Sequence, residues 1–305
     1  MKVLKPEGFK TPFNWHTSLP RQSYNRHNAT GRIWGFPMTV AIGFQNEEFV
    51  LLCADSEISY GSSGKAQECK IHILSDRSSQ IECACVYAGD VHYMEQVLPS
   101  LERVCRTNPT KLLKRLEREC DSIFCKSQKR ERRGVEFPYV QLLFAIGLQS
   151  GPKLYSSIWD IFKQKRSYEI IGIGRDVARS IIEPAYRTNP PLSRPETLML
   201  AACGIKQASD YVQGCGKKIQ CLVLDKSSGF LGGPYIDELT DFEKYFQFFR
   251  EKSSKLMLSL SNVDEDDSTF DDELKLFCKQ LKAFHSWEVE KETRLREEVS
   301  KTQED

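Results

Sequence analysis

The sequence predicts an α+β fold in which helices pack on both faces of antiparallel sheets. Three observations predict it. Short β-rich runs occur around a polar turn, and apolar residues repeat at i, i+3, i+4 and i+7 in two consecutive segments. Strands and helices also occur in groups along the chain, not in single alternation. The chain has 305 residues, 40% of them hydrophobic, so it contains enough apolar material for a sizeable core.

Four strands are predicted first. Residues 38–44 and 49–54 form a hairpin around a polar turn, and a loop over 56–64 leads to strands at 69–74 and 80–87. Both hairpin strands are almost continuously apolar, which is typical of a sheet that is covered on both faces.

Two amphipathic helices follow. Asp90 is a favourable N-cap residue for the first, whose apolar stripe runs from Met94 to Cys105. The stripe of the second covers 112–124, and its other side is basic. The charged run 126–133 is interpreted as a connector at a solvated helix end.

The second half of the chain again has strands followed by two helices. One more strand and a further helix come after them. The predicted strands are 139–146, 154–158, 168–172 and 219–225, and the predicted helices are 176–186, 195–211 and 239–258.

Charge divides the chain into three predicted regions, although its total is only +1. Residues 1–37, with six Lys+Arg and one Glu, form a basic irregular leader, a propeptide or the product of a misassigned start codon. Residues 38–262 form the domain and carry +3. Residues 263–305, with seven Lys+Arg and fourteen Asp+Glu, form an acidic charged helical tail that either binds a partner or is solvated. The charge of the domain does not favour nucleic-acid binding.

Several classes of protein are excluded. The longest nearly apolar run, 139–148, has about ten residues where a membrane span needs about 20, and no secretion signal is present. None of the eleven cysteines forms a Cys-x-x-Cys pair and the five histidines are scattered, so we expect no metal and no cofactor. Mostly apolar cysteine surroundings favour buried thiols in a reducing, cytoplasmic setting.

Thr39, Asp55 and Lys70 are candidates for chemistry, since the ends of a hairpin and the start of a third strand can converge. A lysine beside a threonine hydroxyl favours the alkoxide, and a carboxylate can orient the lysine. Threonine also needs a base. Its own α-amine, with a pKa of about 7.7–8.0, can serve only if Thr39 is the first residue. The alternatives are a plain strand threonine, a turn aspartate and an edge lysine.

Several segments, in the right order, resemble proteasome-type N-terminal-nucleophile (Ntn) hydrolases, including the bacterial proteasome-like subunits. Those similar to the opening third of the family are Met38-Thr-Val-Ala-Ile-Gly-Phe44, Leu51-Leu-Cys-Ala-Asp-Ser56, Cys69-Lys-Ile-His-Ile-Leu74 and Tyr87-Ala-Gly-Asp90. Those similar to later family segments are Tyr168-Glu-Ile-Ile-Gly-Ile-Gly174, Ala208-Ser-Asp-Tyr-Val-Gln-Gly214 and 219–225. The resemblance covers roughly residues 38–235.

The resemblance implies a four-layer α/β/β/α sandwich, often built into stacked rings. It implies that Thr39 is the nucleophile, Lys70 tunes its hydroxyl, Asp55 lies behind the lysine, the Gly89 N–H forms the oxyanion hole, and Asp210 is a second carboxylate near the amine. The implied function is a threonine-type peptidase in intracellular protein breakdown. Its partners would be a peptide or unfolded protein and either a homo-oligomeric ring or an assembly with related subunits.

The sequence also departs from the family. Ile173 and Gln213 stand where the resemblance places two serines, and Pro37-Met38 precede Thr39 where self-cleaving subunits have glycine. If translation starts at Met38, an aminopeptidase would expose Thr39. Two alternatives therefore stay open: a non-catalytic subunit with a structural or scaffolding role, and an Ntn amidase that acts on small molecules.

Overall fold

The computed structural model describes most of the predicted domain. The described residues are 39–59, 65–75, 81–106, 111–132, 140–188, 191–216, 218–231, 251–253, 271–272, 274–279 and 282. They form an α+β sandwich of four layers, with a helix pair on the outer face of each of two five-stranded sheets. The predicted fold class and its layering are confirmed.

The described residues contain twelve strands, ten of them in the two large sheets, and four long helices. The strands are β1 (Val40–Gln45), β2 (Phe49–Asp55), β3 (Glu57–Ser59), β4 (Lys65–Gln67), β5 (Ile71–Ser75), β6 (Cys83–Gly89), β7 (Val140–Leu148), β8 (Gly151–Ile158), β9 (Ile161–Lys165), β10 (Tyr168–Gly172), β11 (Ile219–Asp225) and β12 (Gly229–Leu231). The helices are α1 (Val91–Cys105), α2 (Leu112–Arg132), α3 (Arg175–Thr188) and α4 (Arg194–Tyr211).

The first sheet has the strand order β10-β1-β2-β11-β12, and its neighbouring strands are all antiparallel. Val40 at the start of β1 lies opposite Gly172 at the end of β10. Asp55 at the end of β2 lies opposite Ile219 at the start of β11. The start of β1 and the ends of β2 and β10 therefore meet at one end of this sheet.

The second sheet has the order β5-β6-β7-β8-β9 and is also antiparallel. Three apolar clusters hold the layers together: one between α3, α4 and the first sheet, one between α1, α2 and the second sheet, and one between the two sheets. The last is rich in small side chains, including Ala41, Ala54, Ala84, Ala88 and Ala145. The first sheet is thus covered on both faces, as its continuous apolar hairpin strands predicted, and so is the second.

The helix starts follow from local sequence. Asp90 caps α1 by accepting a hydrogen bond from the backbone N of Tyr93 at 2.8 Å, as predicted. Ser193 and Glu196 form a capping box at the start of α4, which satisfies backbone donors that a helix leaves open. The charged run predicted as a connector continues α2 as far as Arg132.

Four short strands were not predicted. β3 lies within the predicted loop 56–64, which corrects that prediction, and it pairs with β4 in a two-stranded ribbon. β12 has three residues. β9 is an edge strand whose residues are mostly exposed, so it lacks the apolar run that marks an inner strand.

The ends of the chain are described only in part. The predicted leader, 1–37, lies outside the described residues, and so does most of the predicted helix 239–258, of which 251–253 are helical. In the predicted tail, residues 271–272, 274–279 and 282 are helical and largely exposed. Within the described ranges, no helix is long and apolar enough to cross a membrane.

Candidate active site

Three strand ends bring Thr39, Asp55 and Lys70 into contact. Thr39 directly precedes β1, Asp55 ends β2, and Lys70 directly precedes β5. Lys70 Nζ lies 2.6 Å from Thr39 Oγ1 and 3.1 Å from Asp55 Oδ1. The three residues are 4%, 0% and 0% exposed, so they form a buried chain of hydrogen bonds from carboxylate to lysine to hydroxyl.

Asp55 is surrounded by donors. Its Oδ1 accepts from Lys70 and from the backbone N of Val40 at 2.9 Å. Its Oδ2 accepts from the backbone N of Gly216 at 3.0 Å and of Glu57 at 3.2 Å. Burial raises the pKa of Asp55, and Lys70 together with the Val40 and Gly216 N–H groups opposes this. Since all these partners are donors, the arrangement suits an ionised carboxylate.

Lys70 is the cation of the site. Burial lowers its pKa, and the charge of Asp55 opposes that change. Lys70 therefore releases its proton at a lower pH than an exposed lysine does. At neutral pH, a buried ammonium group that donates to Thr39 Oγ1 can stabilise negative charge developing on that oxygen.

Two glycines, one at the end of β10 and one in the turn after it, contact the backbone carbonyl of Thr39. Gly172 has a φ of +91°, and a Cβ added to it would lie 2.1 Å from the Thr39 carbonyl oxygen. The backbone N of Gly174 donates to that same oxygen at 3.4 Å. Ile173 lies between them and is 42% exposed. An apolar side chain thus occupies the position where the resemblance expected a serine, whereas Gln213 at the other such position is exposed.

Gly89 ends β6 immediately before the Asp90 cap and has a φ of +143°, a backbone conformation that favours glycine. The preceding residue, Ala88, lies close to Gly172: a Cβ added to Gly172 would lie 3.2 Å from Ala88 Cβ. The end of β6 therefore adjoins the glycine that touches Thr39. The oxyanion role of the Gly89 N–H stays a prediction.

Asp210 lies near the end of α4, where its carboxylate accepts a hydrogen bond from Lys206 Nζ at 2.9 Å. Among the hydrogen bonds and ion pairs of the described residues, those of Thr39 do not include Asp210. The structure thus brings together three of the five predicted residues by direct contact. The role of Asp210 beside the amine stays a prediction.

Gly216 and Cys215 belong to the surroundings of the site but were not singled out in the sequence. Gly216 supplies one donor to Asp55, and a glycine soon after a helix was the available signal. Burial raises the pKa of Cys215 to about 12, which favours the protonated thiol at neutral pH. In the described part of the chain, no group of three or more His, Cys, Asp or Glu residues is arranged to hold a metal ion.

Comparisons with known proteins agree with this architecture. Solved structures with the same fold include the Anbu ancestral β-subunit from Yersinia bercovieri (13% identity, 74% of this chain and 100% of the other, TM-score 0.59). They also include Anbu from Pseudomonas aeruginosa, solved as a helical assembly (14%, 76% and 99%, 0.58), and a Gly-1 mutant of Anbu from Hyphomicrobium sp. strain MC1 (14%, 75% and 99%, 0.57). No curated protein matches the sequence. The family model for proteasome subunits matches residues 38–224, and the chain therefore belongs to the proteasome subunit family.

Proposed function

We propose that this proteasome-family chain is a threonine-type peptidase whose nucleophile is Thr39, exposed as the N-terminal residue of the mature protein. The observation that carries the proposal is the 2.6 Å contact between Thr39 Oγ1 and Lys70 Nζ, with Asp55 behind the lysine. A buried threonine hydroxyl bonded to a cation is poised for ionisation, since the positive charge favours its alkoxide.

The proposed reaction has two stages. Thr39 Oγ attacks the peptide carbonyl while the free α-amine of Thr39 takes the hydroxyl proton. Lys70 stabilises the attacking oxygen, and the Gly89 N–H donates to the oxyanion of the tetrahedral intermediate. The protonated amine then gives its proton to the leaving nitrogen, and an ester of Thr39 remains. Water, deprotonated by the same amine, hydrolyses that ester and restores the free hydroxyl.

This mechanism requires that the residues before Thr39 be removed. In the full sequence the nitrogen of Thr39 is joined to Met38, and an amide nitrogen is too weak a base for the first step. An intact-mass measurement on protein from its native host should give a chain that begins at Thr39. A mass that retains any residue before Thr39 would rule out this mechanism.

Replacing the nucleophile is the direct test of activity. Thr39→Ala is expected to abolish hydrolysis of unfolded polypeptides and fluorogenic peptides, while the fold and assembly stay intact, because only a hydroxyl and a methyl group are lost. Thr39→Ser, which keeps the hydroxyl, is the matched control and should retain activity. Equal hydrolysis by the wild type and Thr39→Ala would contradict the proposal.

The pH dependence should report Lys70. Because burial lowers the pKa of Lys70, its positive charge disappears at a pH below about 10.4, the ordinary lysine value. We therefore expect kcat/KM to fall with rising pH before an exposed lysine would titrate. In Lys70→Arg, whose guanidinium stays charged, this decline should disappear, whatever activity remains. If kcat/KM of Lys70→Arg falls with rising pH as it does in the wild type, the decline comes from another group.

A non-catalytic role in a proteasome-like assembly is the second candidate, and Ile173 favours it because an apolar side chain replaces the expected hydroxyl beside Thr39. An inactive wild type that still assembles would support this role. An Ntn amidase acting on small molecules shares the same fold. Hydrolysis of small amides without any hydrolysis of peptides would identify that activity.

We also propose that the chain assembles in the cytoplasm, either as a homo-oligomeric ring or with related subunits. Support comes from the P. aeruginosa Anbu structure, which is a helical assembly, and from the family match. Light scattering coupled to size-exclusion chromatography measures the mass in solution. A mass of one chain at every concentration, about 35 kDa for all 305 residues and less for a chain that begins at Thr39, would exclude assembly of this chain with itself.

A further inference from the structure

Three buried glutamines connect the two sheets by the same kind of hydrogen bond. In each, the side-chain oxygen accepts a backbone N–H from the opposite sheet or from the residue that leads into it. The bonds are Gln45 Oε1 to Leu154 N at 2.7 Å, Gln141 Oε1 to Gly172 N at 2.8 Å, and Gln220 Oε1 to Lys70 N at 2.9 Å. The glutamines are 9%, 3% and 2% exposed. A buried amide is costly unless it is bonded, so these contacts are specific features of the sheet interface.

Gln220 holds the backbone of the segment that leads into β5, at Glu68 and at Lys70. Besides accepting from Lys70 N, its Nε2 donates to the carbonyl oxygen of Glu68 at 2.6 Å. These two bonds fix the orientation of the amide, because one partner only donates and the other only accepts. Gln220 itself lies on β11 opposite Ala54, the residue before Asp55. The first sheet thereby holds the backbone of the lysine that precedes the second sheet.

Gln141 makes the complementary contact from the second sheet to the first. It lies on β7 opposite Ala88 and accepts from the backbone N of Gly172. Gly172 in turn abuts the carbonyl oxygen of Thr39 so closely that an added Cβ would lie 2.1 Å from it. A shift of Gly172 would therefore move Thr39.

The contact between Thr39 and Lys70 itself spans the two sheets, because Thr39 leads into β1 and Lys70 leads into β5. Its length therefore depends on how the sheets are held at this end. We propose that Gln141 and Gln220 are positioning residues that set the separation of Thr39 Oγ1 and Lys70 Nζ. The consequence for catalysis rests on the proposed function, whereas the positioning does not.

Gln45 is a matched control within the same molecule. It makes the same bond to a backbone N–H and is also buried, but it ends β1. It lies six positions after Thr39, which is about 20 Å along an extended strand. Its loss should therefore weaken the sheet interface without altering the site.

The test compares Gln220→Leu with Gln45→Leu in the full chain. Lysine labelled with ¹³C at Cε reports protonation by NMR, and the Lys70 signal is the one missing in Lys70→Arg. The titratable groups that Lys70 faces are Asp55, Glu57 and Cys215. In the wild type, the pKa of Lys70 should be lower than that of the other lysines. Gln220→Leu should move its titration up towards theirs, because a loosened Lys70 reaches water. Gln45→Leu should leave it unchanged at a comparable loss of stability.

Two outcomes would overturn the proposal: an unchanged Lys70 titration in Gln220→Leu, or an equal change in Gln45→Leu. Gln220→Met, which is unbranched and of similar length, takes its place if the leucine variant does not fold. This readout needs no enzymatic activity, so it stays informative if the wild type hydrolyses nothing and the proposed function fails.

Where the wild type hydrolyses peptides, kinetics give a second readout. Gln141→Leu and Gln220→Leu should lower kcat by ten- to a hundredfold with little change in KM, since a displacement near 1 Å can cost about a hundredfold in rate. Gln45→Leu should keep kcat within about twofold of the wild type, because it acts far from the reacting atoms. Equal kcat values in the Gln45 and Gln220 variants would contradict positioning and assign both glutamines to stability alone.

Discussion

Replacing Lys70 with methionine is expected to lower the free energy of unfolding by about 3–5 kcal/mol, because it leaves the carboxylate of Asp55 buried without its cation. Asp55 and Lys70 are both 0% exposed, so water cannot replace the lost partner. Denaturant unfolding near neutral pH measures the difference. Any peptidase activity should be lost as well, since the contact to Thr39 Oγ1 disappears.

Lys206→Met supplies the matched comparison. Lys206 pairs with Asp210 at 2.9 Å, but both side chains are about one quarter exposed, and such pairs contribute about 0–1 kcal/mol. If Lys70→Met costs no more than Lys206→Met, Asp55 is not charged in the folded chain. Adding Asp55→Asn to Lys70→Met removes the uncompensated charge and should recover part of the lost stability. The loss of unfolding free energy in the double variant should therefore be smaller than the sum of the two single losses.

Gly172→Ala is expected to cost about 3 kcal/mol or more, since it adds backbone strain to a steric clash. The φ of +91° disfavours any side chain, and the new Cβ would lie 2.1 Å from the Thr39 carbonyl oxygen. To relieve that contact, Thr39 or the end of β10 must move. The variant should therefore be less stable in denaturant unfolding. Where the wild type is active, the activity of the variant should fall by more than its folded fraction does.

Gly151→Ala separates the two causes. Gly151 also has a positive φ, +102°, but its added Cβ would make only an ordinary contact, 3.6 Å from the carbonyl oxygen of Glu47. We expect this control to cost about 1 kcal/mol, from backbone strain alone. Equal losses of unfolding free energy in the two variants would mean that Thr39 can move away from the new Cβ at no energetic cost. Gly172 would then not constrain the position of Thr39.

Much of the fold could be predicted from the sequence because its main elements carry strong local signals. The paired apolar strands around residues 45–48 and the helix stripe after Asp90 are examples. β9 could not be predicted, because an edge strand exposes most of its side chains and lacks an apolar pattern. The ribbon of β3 and β4 lies in a stretch rich in glycine and serine, where pairing depends on long-range context.

The candidate site was partly predictable for a different reason. Thr39, Asp55 and Lys70 stand at the ends of recognisable strands, so a sheet model suggests that they meet. Gln141 and Gln220 carry no such signal beyond being single polar residues inside apolar runs. Their partners, Gly172 and Lys70, are 31 and 150 residues away in sequence, so only the packing of the two sheets reveals them.

The donors around Asp55 also have a consequence for the order of events during synthesis. Val40, Glu57 and Lys70 lie within 15 residues of Asp55, whereas Gly216 follows it by 161. A nascent chain that has left the ribosome only as far as α4 therefore has an incomplete carboxylate shell, and β11 with Gln220 is still absent. The donor set around Asp55 is therefore complete only after nearly the whole sandwich has been translated, and a product truncated before Gly216 lacks one of its donors.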